Sequence, residues 1–390
     1  MNNNLTFKKT VNNTLSSKID VNLWQHVQNS FKEKLYKKTI QDCINYINPE
    51  IEKKYANSDK SIYTIPHGSI IVSIQITDSE FKVDAPFLDI EKAKIVPILR
   101  QVAQLNFYPL SISNIELEGT LLHFKFSCAL ELCEPYKVYE ILREICINAD
   151  NYDDEFISKF NAKHIQEPKV IPFPDTQKEE AWYTLQLYIQ EALEIFHYLE
   201  EKRLNAYLWD ILIITLLKID YYCAPQGTLR IEIEKTISTL NSKDEYLQRL
   251  NNAKSFLQSL QTMDKTSFES SLYHIDIFVP YKFRTDLDGV RDLLKYAYET
   301  SEKEIKAGDY RGAVFTLNYG ILNLFYHHYV ENKISDLLSN AMFLASKLLL
   351  KEAAEILFNA IEQIMISTEF TTTTKRKPVE KKGIFNKLFK

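Results

Sequence analysis

Glycine and proline are scarce in this chain, at 8 and 12 of 390 residues. That scarcity excludes collagen-like or loop-dominated chains and favours helix. No glycine-rich phosphate loop occurs, and neither does GxSxG or HExxH. The five cysteines, Cys43, Cys128, Cys133, Cys146 and Cys223, form no CxxC pair and no zinc framework. They read as packing residues, and with no apolar leader in the first 18 residues they fit a reducing cytoplasm. The most apolar run, residues 208–219, is far below the ~20 residues of a membrane span and reads as a buried helix.

What is present is apolar and aromatic. Hydrophobic residues make up 45% and aromatics 12%, enough for real cores. A chain of 390 residues suggests two or three domains at ~100–200 residues each. The net charge of −5 is uneven: residues 371–390 carry +6, leaving −11 for the rest. An acidic body lacks the phosphate-neutralising surface of a nucleic-acid binder, so nucleic acid is excluded as a partner.

Residues 67–160 carry the clearest pattern. Ile70, Val72, Ile74 and Ile76 alternate with Ile71, Ser73, Gln75 and Thr77, the period of a half-buried strand. Asp78, Ser79 and Glu80 turn the chain, and Phe81, Val83 and Ala85 return it, ending at Pro86. A helix follows over 90–106, starting late or bending at Pro97, with Ile95, Leu99, Val102 and Leu105 as its inward stripe. Residues 112–117 and 121–129 form a second hairpin around Glu118-Gly119-Thr120. Pro135 opens a last helix with the stripe Val138, Ile141, Leu142, Ile145 and Ala149. Upstream, residues 1–18 are polar and read as a disordered lead-in. Residues 20–47 read as one amphipathic helix with Leu23, Val27, Phe31, Leu35 and Ile40 near one face, and residues 61–65 as a short first strand.

This order resembles the YbjN and type III secretion chaperone-like family over residues 20–160. The likeness is carried by GSIIVSIQITDSEFKVDAP, IVPILRQVAQLNF, IELEGTLLHFKF and EPYKVYEILREICINAD. It implies a twisted antiparallel sheet with helices on it, and a protein that acts by holding other proteins. The family offers no catalytic residue to carry over.

The expected architecture is therefore an α+β domain over 19–165, a proline-rich linker over 166–176, an all-α helical-hairpin domain over 177–367 and a flexible basic tail over 368–390. The linker, QEPKVIPFPD, reads as extended and semi-rigid. Beyond it, helix pairs fall at 178–201 with 205–222, 229–240 with 244–260, 290–306 with 310–331, and 334–348 with 351–366. An irregular interruption lies over 278–288. Gly308, Tyr310, Ala313, Leu317 and Gly320 resemble half a tetratricopeptide repeat, so a TPR-like solenoid and a plain bundle both remain open.

Several clusters invite chemistry. His327 and His328 point to different helix faces, and with His197 and His274 they read as packed or surface residues rather than metal ligands. Asp150, Asp153, Asp154 and Glu155 lack an EF-hand pattern and read as a solvated face. No catalytic, cofactor-binding or metal residue is assigned. In the tail, Ile384, Phe385, Leu388 and Phe389 share one side of a short helical turn, with Lys381, Lys382 and Lys387 beside them. Such a peptide docks into a partner groove or lies on an anionic membrane.

The leading expectation is a non-enzymatic protein-binding adaptor or specialised chaperone of the bacterial cytoplasm, with a homodimer compatible with it. The alternatives are a scaffold at the inner membrane face, recruited by the tail, and an enzyme with an unfamiliar site.

Overall fold

The computed structural model describes residues 4–8, 18–346 and 348–366. An antiparallel sheet with flanking helices comes first, and a helical region follows. In chain order, α1 is Trp24–Lys32, α2 Tyr36–Ile47 and α3 Ile51–Tyr55; β1 is Ile62–His67, β2 Ile70–Ile76 and β3 Glu80–Asp89; α4 is Ile95–Phe107. Next come β4 (Asn114–Glu118), β5 (Leu121–Ala129), α5 (Pro135–Phe160) and β6 (Lys163–His164). The sheet order is β1-β2-β3-β5-β4, and β6 pairs with the end of β3. β2 buries Ile70, Val72, Ile74 and Ile76, so the period-two pattern faces the core. Gly68, at φ +56°, makes the β1–β2 turn, and Gly119, at +62°, the β4–β5 turn, where a side chain would be strained.

The expected helix over 20–47 is two helices. Lys34 adopts φ +60°, and its N–H and that of Leu35 return to the Phe31 and Ser30 carbonyls, which terminates α1. Val27 and Ile40 are buried, but Leu35 is exposed, because the break rotates the second half. α5 is capped as Pro135 suggests: the Glu134 carboxylate accepts from Lys137 N–H, and Asn161 closes the other end in the left-handed region.

α4 starts at Ile95, so Pro97 sits harmlessly in the first turn. Its buried side is Ile98, Val102 and Leu105, not the Ile95–Leu99 side, and Leu99 is 38% exposed. The helix is apolar nearly all round, so periodicity could not choose the face.

The helical region runs through β7 (Ile171–Pro172), α6 (Asp175–Glu201), α7 (Leu208–Cys223), α8 (Gly227–Leu240), α9 (Tyr246–Gln261) and α10 (Lys265–Ser270). It continues with β8 (Tyr273–His274), β9 (Phe283–Arg284), α11 (Leu287–Ala307), α12 (Tyr310–His327), β10 (His328–Tyr329), α13 (Asn332–Ala345) and α14 (Leu350–Ile366). α7 is buried almost all round, as its apolar run demands. It packs on α6 and also on α12, across the intervening α8–α11. Gly320 lets α11 and α12 close together, since a Cβ there would stand 2.6 Å from that of Ala297. No helix among the described residues is long and apolar enough to cross a membrane.

The first residues are not a free lead-in throughout. Leu5 and Phe7 are buried in the helical core. Asn4 donates to the Ala345 carbonyl (2.7 Å), Thr6 N–H to Glu191 (2.8 Å) and Lys8 N–H to the Tyr188 hydroxyl (2.9 Å). Glu191 also pairs with the fully buried Lys218 at 2.9 Å, and Lys218 stands over the Tyr188 and Phe7 rings. The linker is likewise tied down: β7 pairs with β8, and Phe173 is buried.

The faces of α4 can be checked directly. Ile98→Asp puts a carboxylate in the core and should cost several kcal/mol, roughly the scale of buried unpaired groups. Leu99→Asp should stay within about 0.5 kcal/mol, as surface changes do. A larger loss for Leu99→Asp than for Ile98→Asp in urea unfolding would mean that the helix presents the opposite face.

Candidate functional site

The irregular stretch between β8 and β9 is the joint of the molecule. Its ends belong to the helical region, through β8 on β7 and β9 on β10. Its middle crosses to the sheet domain, where Phe278 and Val279 are buried in the same cluster as Val72, Phe87 and Ile145. Gly68 N–H donates to the Asp276 carbonyl at 2.9 Å. A Cβ on Gly68 would also stand 3.0 Å from an Asp150 oxygen, so this turn accepts only glycine comfortably.

Around this strap lies a buried polar cluster. Phe278 N–H donates to His67 Nδ1 at 2.9 Å, which makes Nδ1 the unprotonated nitrogen of a neutral ring. Burial holds His67 down to about 4, although the Asp150 charge and the Cys146 carbonyl favour its protonated form. Tyr281 donates its hydroxyl to Asp150. Burial, and then the Asp150 charge, push that phenol well above its ordinary range. Arg230 covers the Tyr281 ring at 3.5 Å and pairs with Glu234 at 2.9 Å. Arg143 covers Phe283 at 4.4 Å, and Lys282 reaches Asp220 at 3.4 Å.

The acidic run at the end of α5 belongs to this joint and is not a solvated face. Asp153 is buried; it accepts from Ser69 at 2.6 Å and from Asp154 N–H at 2.7 Å. Burial raises its carboxyl to about 7, with the Asp150 and Asp154 charges adding to it. Asp154 accepts from Thr228 at the start of α8 (3.1 Å). The sequence signal was present in the 150–155 spacing, but the partners lie on distant elements.

Outside the strap is a cleft of ≈ 270 Å³. Ile47, Ile51, Ile65, Pro66, Ile277 and Phe278 contribute its apolar lining. Lys18, Glu50, Lys54 and Asp276 supply charge, and β1 is the edge strand of the sheet. The cleft is amphipathic and flanked by the outermost strand.

The histidines separate. His197 pairs with Glu201 at 3.3 Å on an exposed helix side, and His274 lies against the Phe173 ring. Among the described residues no three His, Cys, Asp or Glu side chains have metal-holding geometry. The tail residues Lys381, Lys382, Ile384, Phe385, Lys387, Leu388 and Phe389 lie outside the described residues. Searches against protein-family models and curated proteins returned no match.

His67 and Asp153 oppose each other in pH. His67 at about 4 lies below its unfolded ~6.5, so the unfolded chain binds the extra proton and stability falls as pH drops from ~6.5 to 4. Asp153 at about 7 lies above its unfolded ~3.9, so the folded chain holds the extra proton and stability falls as pH rises across that window. The stability of Asp153→Asn relative to wild type should therefore grow from pH 4 to 7, on the order of 1.4 kcal/mol per pH unit at most. His67→Gln should gain relative to wild type as pH drops from 6.5 to 4. Parallel pH profiles for all three proteins in chemical denaturation would contradict this arrangement.

Proposed function

We propose that this chain is a protein-binding adaptor of the specialised-chaperone kind, and that the cleft beside β1 receives an extended segment of its client. One observation carries the reading: a cleft of mixed lining, with more polar than apolar surface, lies beside the edge strand of the sheet domain. Main-chain groups of an edge strand supply affinity for an added segment, and alternate apolar pockets supply specificity. Pro66 lacks an N–H, and the start of β1 is already bridged by Ala56 to Tyr63 and by Asn57 N–H to the Ile62 carbonyl (2.9 Å), so side chains more than main chain would hold the client. Pro66 and Ile277 would meet its apolar side chains, while Lys54 and Asp276 would set its charge and direction. The resemblance to the YbjN and type III secretion chaperone-like family points the same way.

In this reading the helical region is a frame, TPR-like in the small-residue pattern that ends at Gly320, and it holds the strap that walls the cleft. Most polar groups of the joint have partners, since His67 Nδ1 accepts from Phe278 N–H, Asp150 accepts from Tyr281 and Arg230 pairs with Glu234, although His67 Nε2 is buried without one. That mutual pairing favours a structural joint over a reaction centre.

A photo-crosslinking residue at Ile277, with a control at the exposed Tyr183 on α6, tests the reading in cells. A discrete adduct from 277, absent from 183 and lost on Lys54→Glu with circular dichroism unchanged, is expected. Equal labelling at both positions, or none, would remove the cleft as the client site.

A further inference from the structure

The outward side of α4 plays no part in the cleft. Ile95 is 48% exposed, Val96 61%, Leu99 38%, Phe107 90% and the following Tyr108 78%. Val96, Arg100, Ala103 and Phe107 recur at helical spacing and centre this side opposite Ile98, Val102 and Leu105. Single exposed apolar residues are ordinary, but five on one short element are not. The surface is also held in place: Asn106 exchanges two hydrogen bonds with the Ile115 main chain, at 2.9 and 2.7 Å.

The charge beside it is basic. Lys94 N–H donates to the Phe160 carbonyl (2.9 Å) and its Nζ to the Lys159 carbonyl (3.2 Å), and Asn161 donates to the Lys92 carbonyl (3.2 Å). These bonds bring Lys159 and Lys163 beside Lys92 and Lys94 at the start of α4, and Arg100 stands on the apolar side itself. Against them are Asp89, which faces Lys163 across the β3–β6 pairing, Glu91, and Glu155, which pairs with Lys159 at 2.7 Å. In a chain of net charge −5 this is a local inversion of sign.

We propose that α4 is a membrane-docking helix that lies in the surface of an anionic bilayer. Phe107, Val96, Leu99 and Ile95 enter the headgroup–acyl boundary, Tyr108 sits at headgroup level, and Lys92, Lys94, Arg100 and Lys163 face the lipid phosphates. Phe107 and Tyr108 are the most exposed of these residues, and with basic side chains beside them they suit an anionic lipid surface. This surface is separate from the β1 cleft.

The test uses the full chain with vesicles of phosphatidylcholine containing phosphatidylserine, and of phosphatidylcholine alone. Wild type should co-sediment with the anionic vesicles, less so as salt rises. Val96→Ser with Phe107→Ser should lower the partition at least about tenfold, the lower end expected for a buried Phe. Lys92→Glu with Arg100→Glu should lower it roughly fivefold or more at low salt. Phe107→Trp should give blue-shifted emission that brominated lipid quenches, and Phe385→Ala with Phe389→Ala should leave that quenching in place. All the α4 positions are exposed, so circular dichroism should be unchanged. No binding to anionic vesicles, binding indifferent to both α4 pairs, or binding abolished by the tail pair alone would overturn the proposal. So would self-association or a protein complex that Phe107→Ser disperses in the absence of lipid binding.

Discussion

Phe278 and Val279 fill the core of a sheet domain although they are carried by the helical half of the chain. Almost everything distinctive about the molecule depends on that insertion. Burying a phenylalanine is worth about 1.5–3 kcal/mol, so the strap contributes on the scale of a core residue and not of a surface contact. Its two ends are pinned by β7–β8 and β9–β10 pairing, and Tyr281 is clamped between Asp150 and Arg230. Domains of one chain usually meet through polar, separable surfaces. Here a piece of one is packed into the other, so the cleft wall is as rigid as the core behind it.

The electrostatics of the joint follow from the same insertion. The strap excludes water from His67 and Asp153, and burial drives one towards neutrality by losing a proton and the other by keeping one. His67 precedes Gly68 and Asp153 accepts from Ser69 just after it, and Gly68 must be small for Asp150 to approach. A neutral His67 is what lets Phe278 N–H find an acceptor inside the core. The geometry and the protonation states are thus parts of one arrangement.

Much of this fold is legible in the sequence, for local reasons. The β2–β3 hairpin alternates cleanly, Pro135 marks the start of α5, and the long helices of the second half carry their own periodicity and turn residues. The rest is hidden for equally physical reasons. Residues 4–8 are too few to show a period, so Leu5 and Phe7 look like any polar lead-in with two apolar residues. α4 is apolar on both sides, and its inward face is set by the packing of Ile98 and Val102, which no spacing reveals. Lys34 breaks a helix by adopting a left-handed conformation that lysine does not advertise. The strap has no period at all around Pro280, and its partners, His67 and Asp150, are far away in the chain. The cleft is hidden for the same reason, since two of its walls come from different halves of the sequence.

The most direct test of the account is whether the two halves unfold together. Single-tryptophan variants retaining Trp24 report on the sheet domain, and those retaining Trp209 report on the helical one. With the strap as described, urea transitions followed at either tryptophan should coincide in midpoint and slope, as one cooperative unit requires. Two separated transitions, with Trp24 reporting full native stability after the helical half has melted, would contradict it.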